Sequence, residues 1–162
     1  MQTDRVIFLR DEFLSLLKQL KADDKGVWGT MNAQQMVEHF TDAVKIANGK
    51  MKLPEVNSGE KQHNIRDFLF SDIPFKENTR NPLMNEVPSD ATHGSIEESV
   101  QALQNEFIYF FHLFERDPSV TTCNPIFGEL NFEQNVHLLH KHAIHHLRQF
   151  GLMQINVALP AS

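Results

Sequence analysis

Five of the chain's nine histidines lie between His137 and His146. Histidine is the commonest metal ligand, because neutral imidazole offers a lone pair at physiological pH. Two histidines can grip one ion from a single helix when they stand four residues apart, one above the other. Within the cluster only His142 and His146 have that spacing, which separates them by about 40° on a helical wheel. His146 borders the apolar face near Leu139 and Phe150, and His142 lies at its edge, so the pair faces a groove between helices. A third ligand must come from another element. His39 is the best candidate, since it flanks the stripe Met36, Phe40 and Ala43. His63 and His93 fall in a long connection, and His112 points away from its helix's core stripe. Three neutral imidazoles leave positions open on a divalent ion, which suits zinc, nickel or iron. Such an ion acts as a Lewis acid and lowers the pKa of a bound water or thiol, so hydrolytic, isomerase or transferase chemistry is implied.

What is missing narrows the chemistry. His142-Ala-Ile-His-His146 has no Glu after its first His, so it is not the zinc-protease helix motif. Carboxylate-bridged di-iron bundles need Glu-x-x-His on two helices, and that spacing occurs here only at Glu60–His63. No separate general acid or base is recognisable. A bundle that holds a metal or small ligand without turnover therefore stays open, as does a partner-binding bundle with incidental histidines. His140 falls within the apolar face as a core histidine, His145 lies opposite the stripe and is solvated, and His137 is not a ligand. Gln35 and Gln149, one turn from His39 and His146, either orient ligand rings or are plain surface glutamines. Cys123, in a Pro-bounded loop without a basic neighbour, reads as a free structural thiol. Metal-linked stability is expected to fade below roughly pH 6, as free imidazoles protonate.

The elements that must position these residues are helical. Four segments carry a 3.6-residue apolar period and none shows sustained strand alternation. The first is about 4–20, with Ile7, Phe8, Phe13, Leu14, Leu17 and Leu20 as its stripe; Gly26 and Gly29 then break the chain around Trp28. The second is about 33–48, capped by Asn32 with Gln35 completing a capping box and stopped by Gly49. The third is about 96–116, with Ser95 and Glu98 as its box and Ile96, Val100, Leu103, Phe107, Phe110 and Phe114 as its core stripe. The fourth is about 132–150, boxed by Asn131 and Gln134 and ended by Gly151. Residues 50–94 hold Pro54, Pro74, Pro82 and Pro88, which prevent a long helix. A short helix over 61–70 and packing through Phe68, Phe70, Phe75 and Leu83 are expected there. A 45-residue connection is too long to be idle in a compact domain; it walls the site or forms a lid. Matched amphipathic helices make an all-α four-helix bundle with a long crossover between helices 2 and 3. The short links make helices 1 and 2, and 3 and 4, antiparallel neighbours.

The chain's 162 residues suit one domain, 1–162. Fifteen basic against 21 acidic residues give a net charge of −6, with no basic run, which argues against nucleic-acid binding. No apolar stretch approaches the roughly 20 residues of a membrane span, and acids within the N-terminal apolar run do not read as a signal peptide. A single cysteine cannot staple the fold, so a cytoplasmic setting is expected. Thirteen Phe against one Tyr and one Trp point to a Phe-filled core.

Three segments resemble the DinB/YfiT-like superfamily of metal-dependent bundles: Trp28-Gly-Thr-Met-Asn-Ala-Gln-Gln-Met-Val-Glu-His39, Asn124-Pro-Ile-Phe-Gly-Glu-Leu130 and His142-Ala-Ile-His-His-Leu-Arg-Gln-Phe-Gly151. The likeness is to a branch whose last helix reads H-x-x-H-H-L-x-Q-F-G after a P-x-F-G loop. It covers most of the chain and is weakest over 50–94. It implies a four-helix bundle, a homodimer, and a metal held by one His of the second helix and the His-x-x-x-His pair of the last, here His39, His142 and His146. His145 matches the branch's double His and stays open as an alternative ligand or a supporting group. Asn135 departs from the Trp often found early in that helix, a matter of packing. Some members of the superfamily resemble thiol transferases, in which the metal ionises a small thiol; by analogy a thiol S-transferase joins the metal-dependent hydrolase as a reading.

Overall fold

The computed structural model describes residues 2–79, 81–84 and 86–154. It is predominantly helical with one small sheet. The order is α1 (Gln2–Ile7), a π-helical segment (Phe8–Glu12), α2 (Phe13–Leu17), α3 (Ala33–Ala47), α4 (Gly59–Phe70), α5 (Ile96–Arg116), β1 (Thr122–Asn124), β2 (Gly128–Leu130) and α6 (Phe132–Gln149). Among the described residues no helix is long and apolar enough to cross a membrane.

The periodicity locates α3, α5 and α6 to within a residue. Asn32 and Asn131 form the reciprocal boxes expected of them: each accepts from the backbone N–H three residues on, and Gln35 and Gln134 reach back to the cap N–H. Ser95 caps α5 through the Glu98 N–H, but the Glu98 carboxylate turns to the Gly94 N–H at 2.9 Å. The expected box there is therefore only half formed. The first rod also differs from expectation, ending at Leu17 and carrying a π-helical segment. A π turn holds an extra residue and rotates the apolar face. Leu9 is consequently fully buried whereas Ile7 is 40% exposed, and Phe8 and Phe13 stack at 6.5 Å.

One apolar cluster draws on every long helix: Leu9, Phe13 and Leu17; Met36, Phe40 and Val44; Leu103, Phe107 and Phe110; Val136, Leu139 and Leu147. Its aromatic rings connect, Phe13 to Phe40 at 4.8 Å, Phe40 to Phe107 at 6.1 Å and Phe110 to Phe132 at 5.8 Å. Edge and tilted pairs of this kind add to the area term. The most extensive packing is between α3 and α5, which the crossover joins, and the first rod also packs on α6. The sequence expectation made consecutive helices the neighbours. The links at 18–32 and 117–131 are long enough to carry the chain past the adjacent helix.

The 117–131 link contains a hairpin that the sequence expectation lacks. β1 and β2 pair antiparallel, Thr122 opposite Leu130 and Asn124 opposite Gly128. Strands of three residues are too short to show alternation. Asn135 anchors this hairpin to α6. It is buried, and its Nδ2 donates to the Thr122 hydroxyl (3.0 Å) and to the Leu130 and Asn131 carbonyls. The Thr122 hydroxyl in turn donates to the Ala47 carbonyl at 2.9 Å. Asn135→Ala should cost about 1–3 kcal/mol by orphaning these buried acceptors. The check is a lower urea midpoint with an unchanged slope.

The crossover carries α4, which spans Gly59–Phe70 rather than 61–70. Leu69 joins Phe127 and Leu130 in a second apolar cluster. Lys141 of α6 reaches the end of α4, where its ammonium donates to the carbonyls of Phe68 (2.8 Å), Leu69 (3.3 Å) and Ser71 (3.1 Å). It thereby satisfies the acceptors that a helix C-terminus leaves orphaned. Phe68 and Phe75 pack as expected, with centroids 5.8 Å apart, and Leu83 is half-buried. Phe70 is 38% exposed, with its ring only edging His137.

Candidate metal centre

His39 lies two turns into α3, and His142 and His146 occupy the last two turns of α6. The structure brings the three together. His39 Nε2 lies 3.2 Å from His142 Nε2, and His146 Nε2 lies 2.7 Å from the same atom. One ring nitrogen from each falls within 4.8 Å of the other two. His146 is buried and the other two are half-buried. The ring of Phe40, one residue past His39, packs at 4.8 Å from His142 and joins the site to the core.

The protonation pattern follows from a chain of hydrogen bonds. Gln149 Nε2 donates to the Trp28 carbonyl at 3.1 Å, which fixes which end of the amide is oxygen. Gln149 Oε1 therefore faces His146 Nδ1 at 2.7 Å and must accept a hydrogen bond from an Nδ1–H. A neutral His146 then presents a bare lone pair on Nε2. The 2.7 Å contact requires a proton on His142 Nε2. That one proton leaves no lone pair there to accept from His39. The two contacts cannot both be ordinary linear hydrogen bonds among neutral imidazoles.

A cation shared by three lone pairs would remove the conflict. Ligand bonds of 2.0–2.1 Å imply nitrogen separations of about 3.3 Å in a tetrahedral site and about 3.0 Å for adjacent octahedral positions. The 3.2 Å separation lies near the tetrahedral value, and the 2.7 Å one would have to open by roughly 0.3 Å around an ion; the donor chemistry, three imidazole nitrogens, is of the kind that suits one small divalent ion. Electrostatics favour lone pairs over charge. Burial, and then the neighbouring His145, lowers His39 to about 4. Burial holds His142 and His146 well below the ordinary histidine value, with the other rings of the site adding to the effect.

The loop before α3 is built to reach Gln149. Gly29 has φ +80°, and a Cβ there would stand 2.7 Å from Gln149 Nε2. Val27 N–H donates to the Gln149 carbonyl at 2.6 Å. Gly26 and Gly29 are thus more than chain breaks. Of the two glutamines, Gln149 orients a ring. Gln35 is occupied as the partner of Asn32 and donates to the Ser89 carbonyl. Gln149→Leu should weaken metal affinity about 10- to 100-fold, the usual cost of removing a group that orients a ligand. Competition with a chromophoric chelator reads this.

The remaining histidines separate. His145 is not solvated as expected. Its ring stands edge-on to Trp28 (5.6 Å), Phe75 (6.0 Å) and His146 (5.3 Å), because the crossover covers that side of α6. His140 is half-buried edge-on to Phe8 at 5.1 Å, where burial and Arg5 lower it to about 4. His137 lies against Phe70. His63 is exposed, 4.0 Å from Asp67, and His112 and His93 are exposed. Cys123 donates to Glu55 at 3.2 Å; burial and that carboxylate push its thiol up to about 11, which keeps it protonated. Sequence reasoning missed Lys141, whose charge gave no sign that it would be buried.

Compared with known proteins, the chain matches no family model, no curated protein and no solved structure.

Proposed function

We propose that this chain is a four-helix bundle that holds one divalent zinc, nickel or iron ion on His39, His142 and His146. The observation that carries the reading is the convergence of three Nε2 atoms in a network that neutral imidazoles cannot satisfy by themselves. The DinB/YfiT-like resemblance supports the same ligand set, a single domain, a cytoplasmic setting and a homodimer. A three-nitrogen site leaves coordination positions free, and the bound ion would supply Lewis acidity toward a water or a small thiol. Gln149 holds the His146 tautomer, Phe40 buttresses the His142 ring, and Phe75 walls the site from the crossover side.

The reaction class that fits is metal-dependent hydrolysis or thiol S-transfer. A second reading, a module that binds a metal or small ligand without turnover, is favoured by the wall itself. Phe40 and Phe75 pack against His142, and Trp28 against the adjoining His145, so rings rather than acid–base groups surround the site. A screen of small thiols with electrophiles, run on metal-loaded protein and on His142→Ala, tests the choice. Turnover that needs both metal and His142 supports the enzyme. Stoichiometric metal without turnover of any thiol or ester supports the module.

A further inference from the structure

The crossover is gripped by residues that stand beside the three histidines in sequence. Lys141 precedes His142 and His145 precedes His146, one helical turn apart on α6. Lys141 holds the carbonyls of Phe68, Leu69 and Ser71, and the His145 ring stands edge-on to the Phe75 ring at 6.0 Å. On α3, Glu38 precedes His39 and accepts from the Thr92 backbone N–H at 2.7 Å and from the Thr92 hydroxyl. Gln34 and Gln35 donate to the His93 and Ser89 carbonyls. Between the two grips the chain turns on itself: Thr79 bonds to the Lys76 carbonyl, and Met84 to the Asn81 carbonyl.

Phe75 sits at the leading grip. Its centroid is 6.4 Å from that of His142 and 6.0 Å from that of His145, and the Lys141 ammonium lies 5.7 Å from its ring. Beyond Ser71 the segment exposes Ile73 and Val87 (61% and 78%), whereas Leu69 stays fixed in its own cluster with Phe127 and Leu130. Lifting Phe75 therefore breaks a few bonds at one edge and leaves the main core untouched, the condition for local opening.

We propose that residues 71–79 and 86–93 form a strap beside the three histidines, with Phe75 laid against His142. Lys141 and His145 are the positioning residues that fasten its leading end and so set the rate of ligand exchange at the site. The fastening stands on its own contacts; only the identity of what exchanges rests on the metal reading.

The test uses the full chain with Lys141→Met, Lys141→Arg and Phe75→Ala. Hydrogen exchange is followed first on metal-free protein. Lys141→Met should speed exchange of the hydrogen-bonded amides of Ser71, Ile73 and Thr79 by roughly ten- to a hundredfold, the effect of losing charged hydrogen bonds. Amides of α3 and α5 should stay within about twofold, and Lys141→Arg should restore most of the protection. Zinc-loaded protein is then mixed with excess chelator. Lys141→Met and Phe75→Ala should release zinc faster by a similar factor while still binding one ion per chain. Strap amides as protected in Lys141→Met as in wild type, or exchange raised equally throughout the chain, would overturn the fastening. A loosened strap with unchanged zinc release would overturn its control of exchange. Absence of zinc binding in wild type would sink the metal reading and leave the exchange result to judge the strap.

Discussion

His142→Ala is expected to lose stoichiometric binding of a divalent ion while the helices stay folded. The His142 Nε2 atom lies at the centre of the arrangement, in contact with both His39 and His146. Structural zinc sites bind with about 10–16 kcal/mol over four ligands, so one ligand is worth roughly 3 kcal/mol, or about two orders of magnitude in affinity. His146→Ala should lose as much, plus the partner of Gln149. His39→Ala should lose a comparable amount although it lies 103 residues away in sequence, which separates a convergent site from a local chelate on α6. Metal content of protein purified without an affinity tag reads all three. Equal stoichiometric binding in wild type, His142→Ala and His146→Ala would remove the site.

The second large effect is on stability, and its pH dependence has two parts. Metal at about 100 times its Kd stabilises the folded chain by about 2.7 kcal/mol, which raises Tm by roughly 5–10 °C at this size. Without metal, His39 titrates at about 4 in the folded chain and near 6.5 when unfolded. Between those values the unfolded chain binds a proton that the folded chain refuses, so stability falls as pH drops from 6.5 toward 4 and is complete above 6.5. His39 accounts for about 3 kcal/mol of that loss, and His142 and His146, held well below the ordinary value by burial, add in the same direction; the half-exposed His140 adds less, because solvent screens its charge. The increment from metal behaves differently. Protons compete for the folded site only near pH 4, so the metal-induced rise in Tm should persist at pH 5.5 while the metal-free Tm declines. Burial thus moves the fading of metal stabilisation well below the pH 6 that free imidazole suggests. Thermal melts with zinc and with chelator at pH 7.5, 6.5 and 5.5 check both parts. A metal increment that vanishes by pH 6 would contradict the burial of the ligands.

Much of this was legible because helices announce themselves locally. Asn32 and Asn131 with their glutamines marked two helix starts, and the Phe stripe of α5 marked its whole length. The i,i+4 pair His142 and His146 shares a face for the same reason. His39 was legible only as a flanking residue of a buried stripe. Its meeting with α6 depends on how α3 packs, which spacing on one helix does not encode. Three features were not legible. The π turn that buries Leu9 leaves no mark in a 3.6-residue period. The three-residue strands around Pro125 and Gly128 are held from outside the hairpin, by Asn135 of α6 and by the Ala47 carbonyl that accepts from Thr122. Lys141 drew no reading and His145, opposite the stripe, read as solvated; only the path of the crossover covers both. The three histidines were thus readable one by one, whereas the groups that orient and cover them depend on tertiary contacts between distant segments.

Anomalous diffraction from zinc-loaded crystals, recorded on both sides of the zinc edge, tests whether the three rings share one ion. The account expects a single strong peak per chain, about 2.0–2.1 Å from Nε2 of His39, His142 and His146, with Gln149 still bonded to His146 Nδ1. A peak held by other residues, or none at these nitrogens under saturating zinc, would contradict it.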